Sequence, residues 1–485
     1  MEGLKKKAIR GGFAKLVGQA FNFGLRILFL VVMARLLDPE DFGLVAMVTV
    51  IAGLFGLLAL SSATVQKDTI TDEQMSTLFW INLLIGALLA SLCVLAAPIL
   101  VAFYSEPRLY WITVSAGTGF IFSTAAAQHL ALLERQLRFI TLAVIDIVCQ
   151  LVGLVVGVGL ALAGFGYWAL VASTIALPAM TTICAWTVTG WTPGRPRRKA
   201  GVRSLLHFGG TVTLNTVVTY VAYNFEKVLL GRFWGADVLG LYGRAYQLIN
   251  IPTQNLNVAV GGVTFAALSR LQNDPIRLRS YFLKSYGLAS SLTLPTTMFC
   301  ALFAEDIVLV ALGPKWAEAA STFRLLSPTV LVFGIINPTA WLMVSTGLQV
   351  RSLRIALVIA PLVIAAYIIG MPYGANGVAL AYSTAMTLWL VPHILWSLHG
   401  TPISPWSMLV ATSKPFISAL IAAAIAFATA HYFVRHLHSP FFRLALEAAV
   451  MFVVYYWVLL FIMGEKALYL DLLRELRGSS STQEG

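Results

Sequence analysis

Long apolar stretches follow one another along almost the whole chain, and short polar gaps separate them. Each stretch runs for about 18–25 residues, which as a helix is long enough to cross the ~30 Å hydrocarbon core of a bilayer. These stretches must be helical, because backbone polar groups cannot stay unpaired in lipid. The pattern predicts fourteen transmembrane helices, or spans, at residues 12–35, 42–65, 78–103, 110–132, 140–163, 167–190, 206–231, 238–262, 283–303, 322–346, 353–371, 376–398, 414–434 and 442–463.

The chain also resembles itself at an offset of 197 residues. Ala34–Leu44, ARLLDPEDFGL, ends the first span and opens the second, and Gly231–Leu241, GRFWGADVLGL, does the same for spans seven and eight. A weaker similarity links Gly166–Ser173 with Gly377–Ser383, in spans six and twelve. Because six is even, both copies enter the membrane from the same side, so we predict two parallel six-helix repeats followed by a C-terminal helix pair.

The predicted fold class is therefore an all-α integral membrane protein of five parts. In chain order these are an N-terminal six-helix lobe at 1–190, a cytoplasmic connector at 191–205, a C-terminal six-helix lobe at 206–398, appended helices 13 and 14 at 399–463 and a cytoplasmic tail at 464–485. In the tail, Leu468, Leu472 and Leu476 recur at the spacing of an amphipathic interfacial helix. Two lobes around a central gap are typical of a secondary transporter.

Composition and charge support this assignment and orient the chain. Hydrophobic residues make up 59% of the chain and charged residues 11%, which is far from soluble composition. With the N-terminus inside, the gaps on the inner side and the span ends next to them hold 23 of the 33 Lys and Arg residues, so the positive-inside rule predicts that both termini are cytoplasmic. The net charge of +12 is spread over inner loops next to the membrane, where it attracts anionic lipid headgroups. This distribution does not favour a nucleic-acid-binding function.

The sequence lacks the signatures of several catalytic and metal sites. It contains no GxxxxGK[ST] phosphate-binding loop and no HExxH motif. The four cysteines all lie inside apolar spans without a CxxC pair, as small core residues do. We therefore predict no cofactor, no metal site and no enzymatic activity.

Polar residues recur on one helical face of two spans, although charge inside a bilayer is costly and generally faces protein or water. The polar residues of span 1 are spaced 4, 3 and 4 apart, at Lys15, Gln19, Asn22 and Arg26. Those of span 7 are Asn215, Thr219, Tyr223 and Glu226. At the offset of 197, Thr219 and Tyr223 correspond to Asn22 and Arg26. We expect these faces to line a shared central cavity.

Spans 8 and 5 add further polar residues. Those of span 8 lie within about half the helix circumference, at Arg244, Gln247, Asn250, Gln254 and Asn257, and those of span 5 are Asp146 and Gln150, in line with Gly153 and Gly157. Arg244 and Lys227 lie near span ends and have an alternative role as residues that snorkel to the interface. Asp146 has the alternative role of bonding to a neighbouring helix. We expect Arg35 and Arg232 to be interfacial anchors and Arg443 to form a local ion pair with Glu447.

Several strings together resemble the Wzx-type lipopolysaccharide and exopolysaccharide exporters, closest to the colanic-acid-exporter branch. In the first half they are Ala34–Val48 (ARLLDPEDFGLVAMV), Gln66–Asn82 (QKDTITDEQMSTLFWIN), Leu132–Phe139 (LLERQLRF) and Gly166–Val171 (GYWALV). In the second half they are Leu229–Leu256, Phe265–Lys284 and Leu312–Trp316 (LGPKW). The resemblance covers roughly residues 10–400.

This resemblance implies the multidrug/oligosaccharidyl-lipid/polysaccharide exporter superfamily. It implies a flippase that moves undecaprenyl-diphosphate-linked oligosaccharide repeat units from the inner to the outer leaflet of the bacterial cytoplasmic membrane. Arg26 and Arg244 match best the cavity arginines that hold the diphosphate, with Gln19, Asn22, Tyr223, Gln247 and Asn250 as further candidate substrate-binding residues and Glu226 and Asp146 as candidates for ion coupling. Its partners would be the lipid-linked substrate, membrane lipids, and polymerase and chain-length proteins.

The chain departs from the family pattern at two places, and other functions remain as alternatives. Leu60-Ser61-Ser62 replaces a frequent Asp-Leu-Gly, and Asn224-Phe225-Glu226 replaces a frequent Asn-x-Asp. A drug or cation antiporter of the same superfamily would favour acidic cavity residues. A polysaccharide polymerase or ligase would need a large outer loop with catalytic side chains, and a scaffolding protein would not need matching polar faces.

Overall fold

The computed structural model describes residues 2–57, 71–196, 217–433, 437, 439–466 and 469, with backbone alone at 2–17, 255–260, 262, 263 and 266. These residues form helices and no strands. The helices are α1 (Glu2–Leu36), α2 (Pro39–Gly56), α3 (Asp72–Tyr104), α4 (Leu109–Arg135), α5 (Phe139–Leu162), α6 (Tyr167–Thr189), α7 (Phe225–Leu271), α8 (Pro275–Leu302), α9 (Ala304–Ala311), α10 (Ala319–Leu326), α11 (Pro328–Ser345), α12 (Gln349–Gly370), α13 (Gly374–Leu398), α14 (Pro405–Tyr432) and α15 (Pro440–Trp457), which continues as a π-helical turn, Val458–Ile462.

The helical class predicted from the apolar pattern is confirmed. Within the described ranges, nine helical segments are long and apolar enough to cross a membrane, or ten if the bent pair α8 and α9 counts as one span. The count of fourteen spans and their grouping into repeats stay predictions. The predicted amphipathic helix of the tail lies almost entirely outside the described residues, as do most of the connector and Asn215.

By its contacts the chain divides into two compact units, Met1–Gly243 and Arg244–Gly485. In the first unit, α3 packs on α4, α4 and α5 pack on α6, and α1 packs on α5. Small residues permit the close approach of α5: a Cβ added to Gly157 would lie 3.0 Å from the ring of Phe29 and 3.3 Å from Cβ of Ser173. Gly153 and Gly157 are both buried, so this face of α5 packs closely on its neighbours.

Two of the strings that carry the family resemblance meet at the start of α2. The Asp41 carboxylate accepts a hydrogen bond from the backbone N–H of Asp38, at 3.2 Å, and another from the backbone N–H of Tyr167, the first residue of α6. Asp41 therefore satisfies donors at the N-termini of two helices, which otherwise have no intrahelical partner. Gly166 has a φ of +54°, a conformation that favours glycine and that brings the start of α6 against Asp41.

The loop between α3 and α4 is fastened to the start of α2 by charged side chains. Arg108 donates to Glu40 at 2.6 Å and to Glu106 at 2.8 Å. The hydrogen bond from Arg108 lowers the pKa of the Glu106 carboxyl. Arg108 is one of the few basic residues in a predicted outer gap, and these bonds give it a structural role.

The second unit is built around α8, which packs on both α11 and α14. After Leu302 the chain bends by 86° into α9, and the segment from α9 to α10 folds back with Trp316 and Phe323 buried. This segment is the longest predicted outer gap, and it is a packed part of the unit.

The bend corrects one sequence-based expectation. Arg443 of α15 pairs with Asp306 of α9, Nη2 to Oδ1, at 2.5 Å. The predicted pair between Arg443 and Glu447 is wrong, because the turn into α9 brings an acid from 137 residues away within reach of the guanidinium.

Candidate functional site

The polar face predicted for span 1 exists on α1. Gln19 and Arg26 are exposed and Asn22 is half-buried, and the Asn22 Oδ1 atom is buried without a hydrogen-bond partner among the described residues. The neighbouring face of α1 packs on α5, since a Cβ added to Gly18 would lie 2.8 Å from Cβ of Ala143. The described part of the stripe therefore presents a guanidinium and two amides beside the α1–α5 contact, whereas the side chain of Lys15 lies outside the description.

The predicted stripe of span 7 is interrupted. Residues 217–222 are helical, but Tyr223 and Asn224 form a turn before α7 begins at Phe225. The Asn224 amide donates to the Tyr220 carbonyl oxygen at 2.9 Å, and Lys227 Nζ donates to Asn224 Oδ1 at 2.7 Å. Lys227 thus stabilises this turn by a hydrogen bond to one of its residues. The turn interrupts the helix between Tyr223 and Glu226, and the shared face of these two residues stays a prediction.

Glu226, the acid of the Asn-x-Glu segment, is completely buried, whereas Tyr223 is half-buried. Tyr220 lies near Glu226, and its hydroxyl donates to the Val50 carbonyl oxygen of α2 at 2.9 Å. A buried acid close to a helix interruption is a common form of ion-carrying site in membrane proteins.

Asp146, the other candidate for ion coupling, has a different environment. It is exposed and Gln150 is half-buried, although both lie on α5 in line with the buried glycines Gly153 and Gly157. The structure therefore places the two candidate carboxyls in contrasting settings, one enclosed by protein and one open.

In the second unit, α7 carries three of the predicted substrate-binding residues. Arg244 Nη1 donates to Gln247 Oε1, so the structure brings these two side chains together. Arg244 and Asn250 are half-buried and Gln247 is exposed. This pair offers an anion a cationic group whose orientation is fixed by a neighbouring amide.

Sequence reasoning missed a close crossing of α2 with α7 in the first unit. A Cβ added to Gly43 would lie 1.7 Å from the carbonyl oxygen of Ala236, and one added to Gly240 would lie 1.9 Å from that of Pro39. At the offset of 197 residues Gly43 corresponds to Gly240 and Pro39 to Ala236. The recurring glycine of the repeat was the available signal, but the offset alone does not reveal that the two copies touch.

The helix interruption nearest this crossing is Gly235, where α7 kinks with φ +82° and ψ −176°. Only glycine adopts this conformation readily. Gly235 therefore separates the segment that carries Glu226 from the segment that carries Gly240. Among the residues that the structure describes, no group of three or more His, Cys, Asp or Glu side chains is arranged to hold a metal ion.

Comparison with known proteins gives concordant matches. A family model described as "Polysaccharide biosynthesis protein" matches residues 32–321. The chain is 25% identical over 460 residues to the succinoglycan biosynthesis transport protein ExoT of Rhizobium meliloti, covering 93% of this chain and 92% of ExoT. It is 25% identical over 397 residues to the lipopolysaccharide biosynthesis protein WzxC of Escherichia coli, covering 78% of each.

A third relative is the teichuronic acid biosynthesis protein TuaB of Bacillus subtilis, 27% identical over 305 residues. That match spans 62% of this chain and 62% of TuaB, less than two thirds of the length of TuaB. Among solved structures, the lipid II flippase MurJ in an inward closed conformation matches with a TM-score of 0.76 and 15% identity, over 95% of this chain and 99% of MurJ. The fold is therefore shared with MurJ, and the resemblance drawn from the sequence strings is confirmed.

Proposed function

The chain belongs to the polysaccharide biosynthesis protein family, and from this membership we propose that it is a flippase for lipid-linked oligosaccharides. Its substrate would be an undecaprenyl-diphosphate-linked repeat unit, moved from the inner to the outer leaflet of the cytoplasmic membrane for exopolysaccharide or lipopolysaccharide biosynthesis. The observation that carries the proposal is the match over nearly the whole chain to a relative whose name is a biosynthesis transport protein.

The physical properties of such a substrate support the proposal. Its polyprenyl tail can stay in lipid while the polar head crosses along a hydrophilic path. A diphosphate suits guanidinium groups, because Arg forms charge-assisted and often bidentate bonds with phosphate oxygens. Arg26, with Asn22 and Gln19 on the same helix face, and Arg244, hydrogen-bonded to Gln247, are the groups that we assign to the substrate, with Asn250 and Tyr223 beside them.

The proposed mechanism is alternating access between the lobes 1–190 and 206–398, with both termini in the cytoplasm. The fold shared with MurJ is compatible with this organisation. A polymerase and chain-length proteins would take up the product at the outer leaflet. Glu226 and Asp146 are the carboxyls that we propose for coupling to an ion gradient.

The drug or cation antiporter is the less favoured function. A cationic drug would need acidic groups along its path, whereas the exposed charged side chain on the polar face of α1 is a guanidinium, Arg26. An enzymatic role has less support again, because the family and the named relatives are polysaccharide biosynthesis and transport proteins.

Deletion of the gene in its native host tests the proposal. We expect loss of a surface polysaccharide together with accumulation of its lipid-linked repeat unit on the inner leaflet, measured by extraction and mass spectrometry. A plasmid copy should restore both. Normal surface polymer accompanied by increased sensitivity to cationic drugs would instead establish the antiporter.

A further inference from the structure

The appended helices contain a buried acid to which the proposed transport function gives no role. Glu447 is 4% exposed, and it begins the buried stripe of α15, which continues through Met451 and Tyr455 at four-residue intervals. A carboxyl in such a stripe is unusual, because this face of a helix normally carries apolar residues. Glu447 lies roughly 10 Å along the helix from Pro440, at 1.5 Å per residue.

Two acids and one base meet at this place. Arg443 donates from Nη2 to Asp306 Oδ1 at 2.5 Å, and the two side chains are 26% and 15% exposed. Arg443 Nε and Glu447 Oε2 are both buried and have no hydrogen-bond partner within the described ranges. The guanidinium pairs with Asp306, so within the described ranges the two acids share a single base.

In the described part of the chain, no basic group other than Arg443 acts on Glu447. The charged groups that act on it are Asp306 of α9 and Arg443 of α15. The second acid of α9, Glu305, is turned toward Arg324. The helices α8 and α14 contribute apolar residues to the adjoining core, including Leu294 and Ala426, and the hydroxyl of Tyr455, two turns further on, donates to the Ser291 carbonyl oxygen.

Burial of an ionised carboxylate is unfavourable when one oxygen lacks a hydrogen bond and the counter-ion is shared with a second acid, and such a group favours its neutral form. We propose that Glu447 is a proton-binding site, and that Arg443 alternates between Asp306 and Glu447 as the proton binds and leaves. With the proton bound, Arg443 ties α15 to α9 through Asp306. When the proton leaves, the Glu447 carboxylate lies four residues from Arg443 on the same helix face and competes for the guanidinium.

The proton moves between the Glu447 carboxyl oxygen and water, and no other bond is made or broken apart from hydrogen bonds. Proton loss would weaken the tie between α15 and α9 and so loosen the appended helix pair. By the predicted topology this end of α15 faces the outside, so the site would respond to the pH outside the membrane. Such a site would act in the same way whichever substrate is transported.

Infrared spectroscopy of the full-length protein in lipid nanodiscs tests the site, because a protonated carboxyl has a carbonyl band distinct from that of a carboxylate. We expect a protonated-carboxyl band at neutral pH that is lost in Glu447→Gln. The matched control is Glu305→Gln, which removes the neighbouring acid of α9 whose side chain is 72% exposed and paired with Arg324. This control should leave the band in place.

A second variant separates proton binding from a structural effect of the substitution. Asp306→Asn removes the competing acid and frees Arg443 for Glu447, so the protonated band should disappear at neutral pH while Glu447 is still present. An unchanged band in Glu447→Gln would overturn the proposal, as would a band that survives in Asp306→Asn. Loss of the band on adding sodium at constant pH would assign a metal-cation site instead and would also overturn it.

Discussion

Arg26 is exposed on the polar face of α1, ten residues before the helix ends at Leu36, which corresponds to roughly 15 Å along the axis. A guanidinium at this depth is too far from the helix end to serve only as an interfacial anchor, and a diphosphate is a suitable partner for it. Asn22, one turn earlier, has a buried amide oxygen without a partner among the described residues. We propose that both side chains bind the substrate headgroup, with Arg26 donating to phosphate oxygens and the Asn22 oxygen accepting from a hydroxyl group.

We expect Arg26→Ala to abolish polymer export, whereas the abundance of the variant protein in the membrane stays near normal. Each charge-assisted hydrogen bond contributes ~1.5–3 kcal/mol, so loss of one lowers affinity at least about tenfold. Arg26→Lys should restore only part of the export, because an ammonium cannot reproduce the planar fork of Arg. The amount of surface polymer measures export, and immunoblots of membranes measure protein abundance.

The control is Arg35→Ala, which we expect to reduce protein abundance more than export per molecule. Export at the parental rate by Arg26→Ala would exclude a cationic substrate site at this position.

The contrast between the two candidate acids gives a second prediction. Glu226 is completely buried and Asp146 is exposed, so a proton or cation carried by Glu226 is shielded from water during transport. Glu226→Gln should slow gradient-driven transport several-fold and more than Asp146→Asn does. Uptake into proteoliposomes with imposed ion gradients measures this difference. If both variants keep the parental dependence on the gradient, neither acid carries the coupling ion.

At the element scale, the crossing of α2 and α7 depends on the absence of side chains at Gly43 and Gly240. Gly240→Ala would place a Cβ 1.9 Å from the Pro39 carbonyl oxygen, so the helices must separate, and overpacking of this kind typically costs about 1–3 kcal/mol. Gly243→Ala is the matched control on the same helix, since nothing lies within 4 Å of its added Cβ. We expect a lower thermal unfolding midpoint for Gly240→Ala and no loss for Gly243→Ala. Equal midpoints would show that the crossing does not contribute to stability.

The elements differ in how far the sequence predicts them. The spacing of Gln19, Asn22 and Arg26 predicts the polar face of α1, because a continuous helix turns a regular spacing into a face. The same reasoning does not foresee the turn at Tyr223 and Asn224, which interrupts the helix and is stabilised by hydrogen bonds around Asn224. The pattern of residue types along the chain does not reveal such a local interruption of a helix.

Long-range pairing was also beyond sequence reasoning. Arg443 has an acid four residues later in Glu447, yet its partner Asp306 comes from another helix through the 86° bend after Leu302. The repeat likewise predicts that Gly43 and Gly240 are equivalent but gives no sign that they cross. Tertiary packing decides both contacts, and it pairs the Arg443 guanidinium with Asp306 where the sequence indicates a pair with Glu447.

For the whole molecule, the apolar pattern predicts the helical class, and the distribution of Lys and Arg predicts the orientation of every span. The structure adds that the connector begins tightly held: Gly194 N–H donates to Ser76 Oγ at 3.0 Å and its carbonyl oxygen accepts from Trp80 Nε1 at 2.8 Å. Ser76 and Trp80 are one turn apart on α3, so the start of the connector is fixed to the same end of α3. Locating this end of α3 on one side of the membrane therefore decides the topology.

Reporter fusions after selected residues test that orientation. We expect cytoplasmic signals at Gly194 and Asn273 and outer signals at Asp38 and Gly374, because an even number of predicted spans precedes the first two and an odd number precedes the last two. A fusion at Gly194 removes everything after the connector residue that is hydrogen-bonded to α3, and this truncation can itself disturb the protein. Asn273 lies between α7 and α8 and therefore reports the inner side independently. Labelling of an Asn273→Cys variant by a membrane-impermeant thiol reagent checks it without truncation. Cys93, Cys149 and Cys300 are buried, and the half-buried Cys184 is replaced by Ala in this variant. An outer signal at Gly194 together with labelling of Asn273→Cys from outside would invert the chain, and the two parallel six-helix lobes joined by a cytoplasmic connector would then be wrong.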